Sequence, residues 1–207
     1  MRIAGNRSAA DAQTLARTGS LDVKRTRPQL DMLEALQIRC ARVAVGPSTV
    51  RGQGGPGLVK AAREHLCSLP LSQFGTSRPT LMRARLDRAT IDLMEALPRR
   101  GRSWGVARKV LNIFLRDAVY TVYLRDAFRL ERGERLLELP LDSITARRFQ
   151  RDVGGRQLPR WRGVKRLAPD MSDEYQAAAH AIAVARGIAR VHLDAYWWAV
   201  RDRKGAG

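Results

Sequence analysis

Apolar positions recur along this chain three and four residues apart, the spacing of one helix face, and strict alternation is rare. Leu30, Leu33, Leu36, Cys40 and Val43 mark a first face, and Pro28 suits a first helical turn, so residues 28–45 are expected to be helical. Gly46-Pro47 ends that helix. The segment Ser48–Gly57 holds four glycines and one arginine. It lacks the Gly-Lys-Ser/Thr ending of a P-loop and no strand precedes it, so it resembles a phosphate cradle only loosely and reads as a flexible loop. Val59, Ala62 and Leu66 mark a second helix over Leu58–Leu69, and Leu86, Leu93 and Leu97 a third over Thr80–Leu97. Pro98–Gly101 make a turn, and Ser103 is the expected N-cap of a long fourth helix reaching Phe128, with Val106, Val110, Ile113, Phe114 and Tyr120 on its apolar face.

An apolar run, Leu136 to Leu141, stops at Asp142-Ser143, which reads as the N-cap of a short helix. Gly154, Gly155, Pro159, Gly163 and Pro169 exclude a long element over 152–171. Ser172 is expected to cap a helix ending at Gly187, and Ile188–Arg201 to form the last helix, with Val191, Ala195 and Trp198 inward. The expected fold class is all-α, a bundle of about six to eight helices. Residues 1–27 are small, polar and basic without a period and read as a mobile tail. Residues 28–207 then form a single helical domain built around a central core at 97–148.

Charge changes the picture most. Lys and Arg number 38 against 20 Asp and Glu, a net charge of +18 with a pI near 11.4. A chain this basic is drawn to polyanions, and nucleic acid is the commonest, DNA first with RNA kept open. The excess is concentrated in 99–166, where 18 basic residues face 7 acidic ones. No apolar run is long enough to span a bilayer, and the N-terminus lacks the apolar stretch of a signal peptide. A cytoplasmic, DNA-associated protein without a membrane partner is expected. Cys40 and Cys67 have no CxxC partner, so no metal site is supported, and both read as buried free thiols.

Two residues carry the candidate chemistry. Lys109 sits near the start of the fourth helix and Asp142 at the start of the short one. An amine freed of its proton by a desolvated, cationic pocket attacks carbon, and a carboxylate beside it takes that proton and steadies positive charge on a sugar. The plainer alternatives are a solvated or phosphate-binding lysine and a helix-capping aspartate, and one carboxylate oxygen can cap while the other faces a cleft. Arg99, Arg100, Arg102, Arg108, Arg147, Arg148, Arg160, Arg162 and Lys165 are the candidate nucleic-acid contacts. Trp104 and Trp161 are candidates to stack on an unstacked base, with core packing as the alternative for each. His192 and Asp194 are two apart and do not face each other on a helix, so no dyad or metal pair is read there.

The Leu97–Arg148 stretch resembles the core of the helix-hairpin-helix DNA glycosylase superfamily, nearest its archaeal 8-oxoguanine branch. The matching residues are Leu97-Pro98-Arg99-Arg100-Gly101 for the hairpin, then Lys109, then Pro140-Leu141-Asp142-Ser143. Arg99, Arg100 and Arg102 stand near positions that are usually hairpin glycines. The resemblance covers about a quarter of the chain. It implies a glycosylase or lyase acting on an extruded base, with Lys109 as nucleophile, Asp142 as partner, and no cofactor or metal. Two other readings stay open: a phage-type enzyme that hypermodifies a thymine on the same fold, and a nucleic-acid binder without catalysis.

Overall fold

The computed structural model describes residues 31–54, 56–152 and 158–197. The tail at 1–27, Pro28, Leu30 and Trp198 lie outside the described residues. Within them every regular element is helical and no strand occurs. The helices are α1 (Met32–Ala44), α2 (Leu58–Cys67), α3 (Pro79–Ala96), α4 (Trp104–Tyr120), α5 (Val122–Phe128), α6 (Ser143–Asp152) and α7 (Pro169–Ala185). Short 3-10 turns join them, and a last helical stretch runs over 193–197. No helix among the described residues is long and apolar enough to cross a membrane.

Helix α4 is the hub. Eleven of its 17 residues are buried, which is the signature of a helix enclosed on nearly all sides rather than laid on a surface. It packs against α1, α2, α3 and α5 and against the turn at Val164–Arg166. Its side chains Val106, Val110, Phe114 and Leu111 centre a first core shared with α1, α2 and α3. A second core gathers Leu139 and Leu141 with Phe149 of α6, Tyr175 and Ala179 of α7, and Leu193 and Trp197 near the end. Trp161 packs against both.

Gly105 explains how a loop reaches α4 so closely. A Cβ there would lie 2.1 Å from the Val164 carbonyl oxygen and 2.7 Å from Leu167 Cβ. The Ser103 hydroxyl, which accepts from the Val106 N–H as the cap of α4, donates to the Lys165 carbonyl at 3.0 Å. The Gly163–Leu167 segment is thereby seated on α4 one turn before Lys109, on the same helix face.

Several boundaries differ from the sequence expectation. The fourth helix does not run unbroken to Phe128. Thr121 adopts an extended conformation, closing α4 and opening α5, while its hydroxyl donates to the Asp117 carbonyl at 2.9 Å. Tyr120, expected on the apolar face, is exposed beside this break and bonds His192. Helix α7 starts at Pro169, not at Ser172, because a proline at the first turn needs no N–H partner; Ser172 is buried inside the helix. The final helix is broken by a 3-10 turn at Arg190–His192 after Gly187, which has φ +68°. Its inward residues are Val191, Leu193 and Trp197, and Ala195 is exposed.

The largest departure is Arg108. It was a candidate nucleic-acid contact, yet it is 1% exposed. Its guanidinium holds both oxygens of the buried Glu138 at 2.7 and 2.8 Å and donates to the Thr90 hydroxyl at 2.8 Å, with Asp87 at 3.0 Å. The Asn112 amide adds a bond to Glu138 at 3.2 Å. A cation so placed cannot reach a polyanion; it joins α4 to the extended segment before α6. Burial alone would push the Glu138 carboxyl up, but Arg108, with Arg190 and Asn112, outweighs it and holds the carboxyl below the usual range.

Arg108→Ala leaves Glu138 buried without its partner, and urea unfolding should show a loss of about 3–5 kcal/mol. Replacing the pair together, Arg108→Met with Glu138→Leu, should cost far less. Because the folded carboxyl titrates below its unfolded value of about 4.3, its contribution is present above that pH and vanishes as pH falls through the folded value. Glu138→Gln should therefore flatten the acid limb of the stability curve.

Candidate active site

Lys109 and Asp142 meet at the junction of the two cores. Lys109 comes from α4, and Asp142 precedes α6. The ammonium nitrogen lies 3.5 Å from Asp142 Oδ2 and donates to the Thr49 carbonyl at 3.1 Å. The lysine side chain is 13% exposed and the aspartate 29%, so both open onto solvent at one end only.

Asp142 does two things with its two oxygens. Oδ1 accepts from the backbone N–H of Ile144 at 2.8 Å and of Thr145 at 3.0 Å, and the Asp142 N–H donates to Thr145 Oγ1 at 2.8 Å. This reciprocal cap fixes the side-chain rotamer. Oδ2 is left to face Lys109.

The cleft around the pair encloses about 480 Å³, within the range of small-ligand sites. Ser48, Thr49, Arg51 and Gln53 line it from the segment after α1, Ser143 and Ile144 from α6, and Arg162–Arg166 from the segment seated on Gly105. Five cations border it, namely Arg51, Lys109, Arg162, Lys165 and Arg166, and Asp142 is the sole acid among the lining residues. Asp194 stands nearby, ion-paired with Arg116. Burial pushes its carboxyl up against the pull of Arg116, with Asp142 adding to the rise and Lys109 opposing it. Among the described residues no group of three His, Cys, Asp or Glu side chains is arranged to hold a metal ion.

The other expected site residues divide. Arg162 and Lys165 line the cleft. Arg99, Arg100, Arg147 and Arg160 are exposed but do not line it. Arg102 is turned back onto the end of α3, where its guanidinium caps the Leu97 and Glu95 carbonyls at 3.0 and 2.9 Å. Arg148 is half-buried and reaches the Trp197 carbonyl at 3.4 Å. Arg108 lies inside the protein, as described. Trp104 carries the Arg108 guanidinium 5.2 Å from its ring centroid and packs on the second core. Trp161 stands edge-on to Tyr175 at 5.7 Å, and its N–H donates to Ser143 Oγ at 3.1 Å. Both indoles are half-buried, and neither is among the residues that line the cleft.

His192 bonds Glu134 at 2.6 Å and the Tyr120 hydroxyl at 2.9 Å, away from Asp194. Cys40 is buried and Cys67 half-buried, and burial pushes both thiols up, which suits packing rather than nucleophilic roles.

Sequence reasoning passed over Thr49, Arg51, Gln53 and Arg166. For the first three the signal was an arginine inside a glycine-rich segment, which read as a flexible loop; for Arg166 it was its place next to Lys165. No family model, curated protein or solved structure matches the chain. The reading of this site therefore rests on its own residues.

Asp142→Ala removes a cap and should lower stability by roughly 1 kcal/mol in a denaturant titration, whereas Asp142→Asn, which still caps, should lose only a fraction of that.

Proposed function

We propose that this protein is a nucleic-acid-processing enzyme of the helix-hairpin-helix glycosylase type, with Lys109 as nucleophile and Asp142 as its acid–base partner on an extruded base. The observation that carries this reading is the 3.5 Å approach of the amine and the carboxylate inside a cationic cleft. The cap bonds to Oδ1 hold the aspartate in one pose, so a proton acceptor stands beside the amine without reorganisation.

Asp142 Oδ2 takes a proton from the Lys109 ammonium. The freed lone pair attacks C1′ of the extruded nucleotide. The C1′–N bond breaks, its electrons leave with the base, and the base takes up a proton. The resulting N,O-acetal loses a proton from nitrogen and opens as O4′ gains one, leaving a protonated imine. The acid at Oδ2 supplies the proton that the departing base takes up, and the carboxylate so restored steadies the positive charge on the sugar. Elimination of the 3′-phosphate from the imine gives the lyase step.

One observation favours the non-catalytic alternative. The Lys109 nitrogen already donates to the Thr49 carbonyl and faces a carboxylate, the partners a purely structural ammonium would take. Borohydride reduction separates the two. On a panel of abasic and modified-base oligonucleotides, the wild-type chain should be trapped as a covalent adduct. Lys109→Arg should give none, and Asp142→Asn should trap about a hundredfold more slowly or worse. Folding of each variant is checked by circular dichroism. Absence of any wild-type adduct across the panel overturns the glycosylase and lyase reading.

A further inference from the structure

We infer that the cleft grips a single phosphodiester strand between the 46–54 segment and the 162–166 segment, rather than by the backbone of the α3–α4 hairpin. This rests on the reading above only for the location of the reacting centre.

The hairpin is turned inward. The Gly101 N–H donates to the Pro98 carbonyl at 2.7 Å, so it is not free for a phosphate oxygen. The Cα of Gly101 is covered as well, because a Cβ built there would stand 2.4 Å from Leu58 Cδ1. Gly54 packs on the same spot, with its own Cβ position 3.1 Å from Gly101 Cα. Arg102 is occupied with the carbonyls that end α3.

The two segments have the opposite character. Arg51, Arg162, Lys165 and Arg166 are exposed, and none forms an ion pair among the described residues. This contrasts with Arg83, Arg88, Arg108 and Arg116, each of which holds an acid. All four line one cleft of about 480 Å³, so a polyanion lying in it meets cations from both segments. Such cations on two separate segments suit successive phosphates of a strand passing Lys109.

Oligothymidylates of increasing length, undamaged so that no chemistry intervenes, are the probe, and fluorescence anisotropy across a salt series is the readout. Affinity should rise with length. Arg51→Ala and Arg166→Ala should each lower it about tenfold or more and reduce the slope of log K against log salt by about 0.7. Arg99→Ala with Arg100→Ala should leave both nearly unchanged. The inference is overturned if the hairpin variants carry the loss and the segment variants do not. It is overturned equally if inorganic pyrophosphate or a nucleoside triphosphate competes at equal phosphate concentration and affinity ignores length, which would make the cleft a small-ligand site. Borohydride trapping can fail while this binding holds, and the reverse, so the two proposals fall separately.

Discussion

The buried ion pair between Arg108 and Glu138 sets the geometry on which the rest depends. Arg108 is the residue before Lys109, and Glu138 lies four residues before Asp142. A two-pronged bond between them allows one height of α4 against the extended segment and no other. The amine and the capping carboxylate inherit that height. Burying such a pair returns little net stability, since desolvation nearly offsets the attraction. Its value here is register, and the surrounding Thr90 and Asn112 bonds use the remaining polar atoms to keep it single-valued.

The same pair shows how a basic composition misleads. The chain carries +18, yet among the described residues its arginines do different work. Arg63 closes the carbonyls that end α1, Arg102 those that end α3, and Arg190 the carbonyls of Leu136 and Leu137. These work as internal donors where glycine caps are absent. Others stand unpaired at the cleft. A guanidinium forms both kinds of bond with equal ease, and nothing in the residue type announces which one the fold has chosen.

That ambiguity defines what was legible in the sequence. Helical periodicity located α1 to α3 and the start of α4 to within a few residues, because the buried faces are regular and Pro or Gly stands at most ends. That Lys109 and Asp142 would meet came from the family resemblance; the aspartate ahead of a helix showed only that one oxygen could cap while the other faced a cleft. The break at Thr121 was not, since threonine is a mild helix former and no Gly or Pro marks the spot. Burial of Arg108 was invisible because its partner lies 30 residues away. Ser172 resembled a cap only while Pro169 was read as loop. The glycine-rich stretch after α1 read as slack chain; Val50, buried beneath it, and Gly54, wedged against the hairpin, are what pin it at the cleft.

Trp161 ties one side of the cleft to both cores. Its ring touches both cores, and its nitrogen holds the serine that opens α6, so the side bearing Arg162 to Arg166 is welded to the interior. The side bearing Arg51 is held by the buried Val50, by Gly54 against the hairpin, and by the Thr49 carbonyl that accepts from Lys109. Thr49 and Arg51 share one flank, so any displacement of that flank would also move an acceptor of the Lys109 amine.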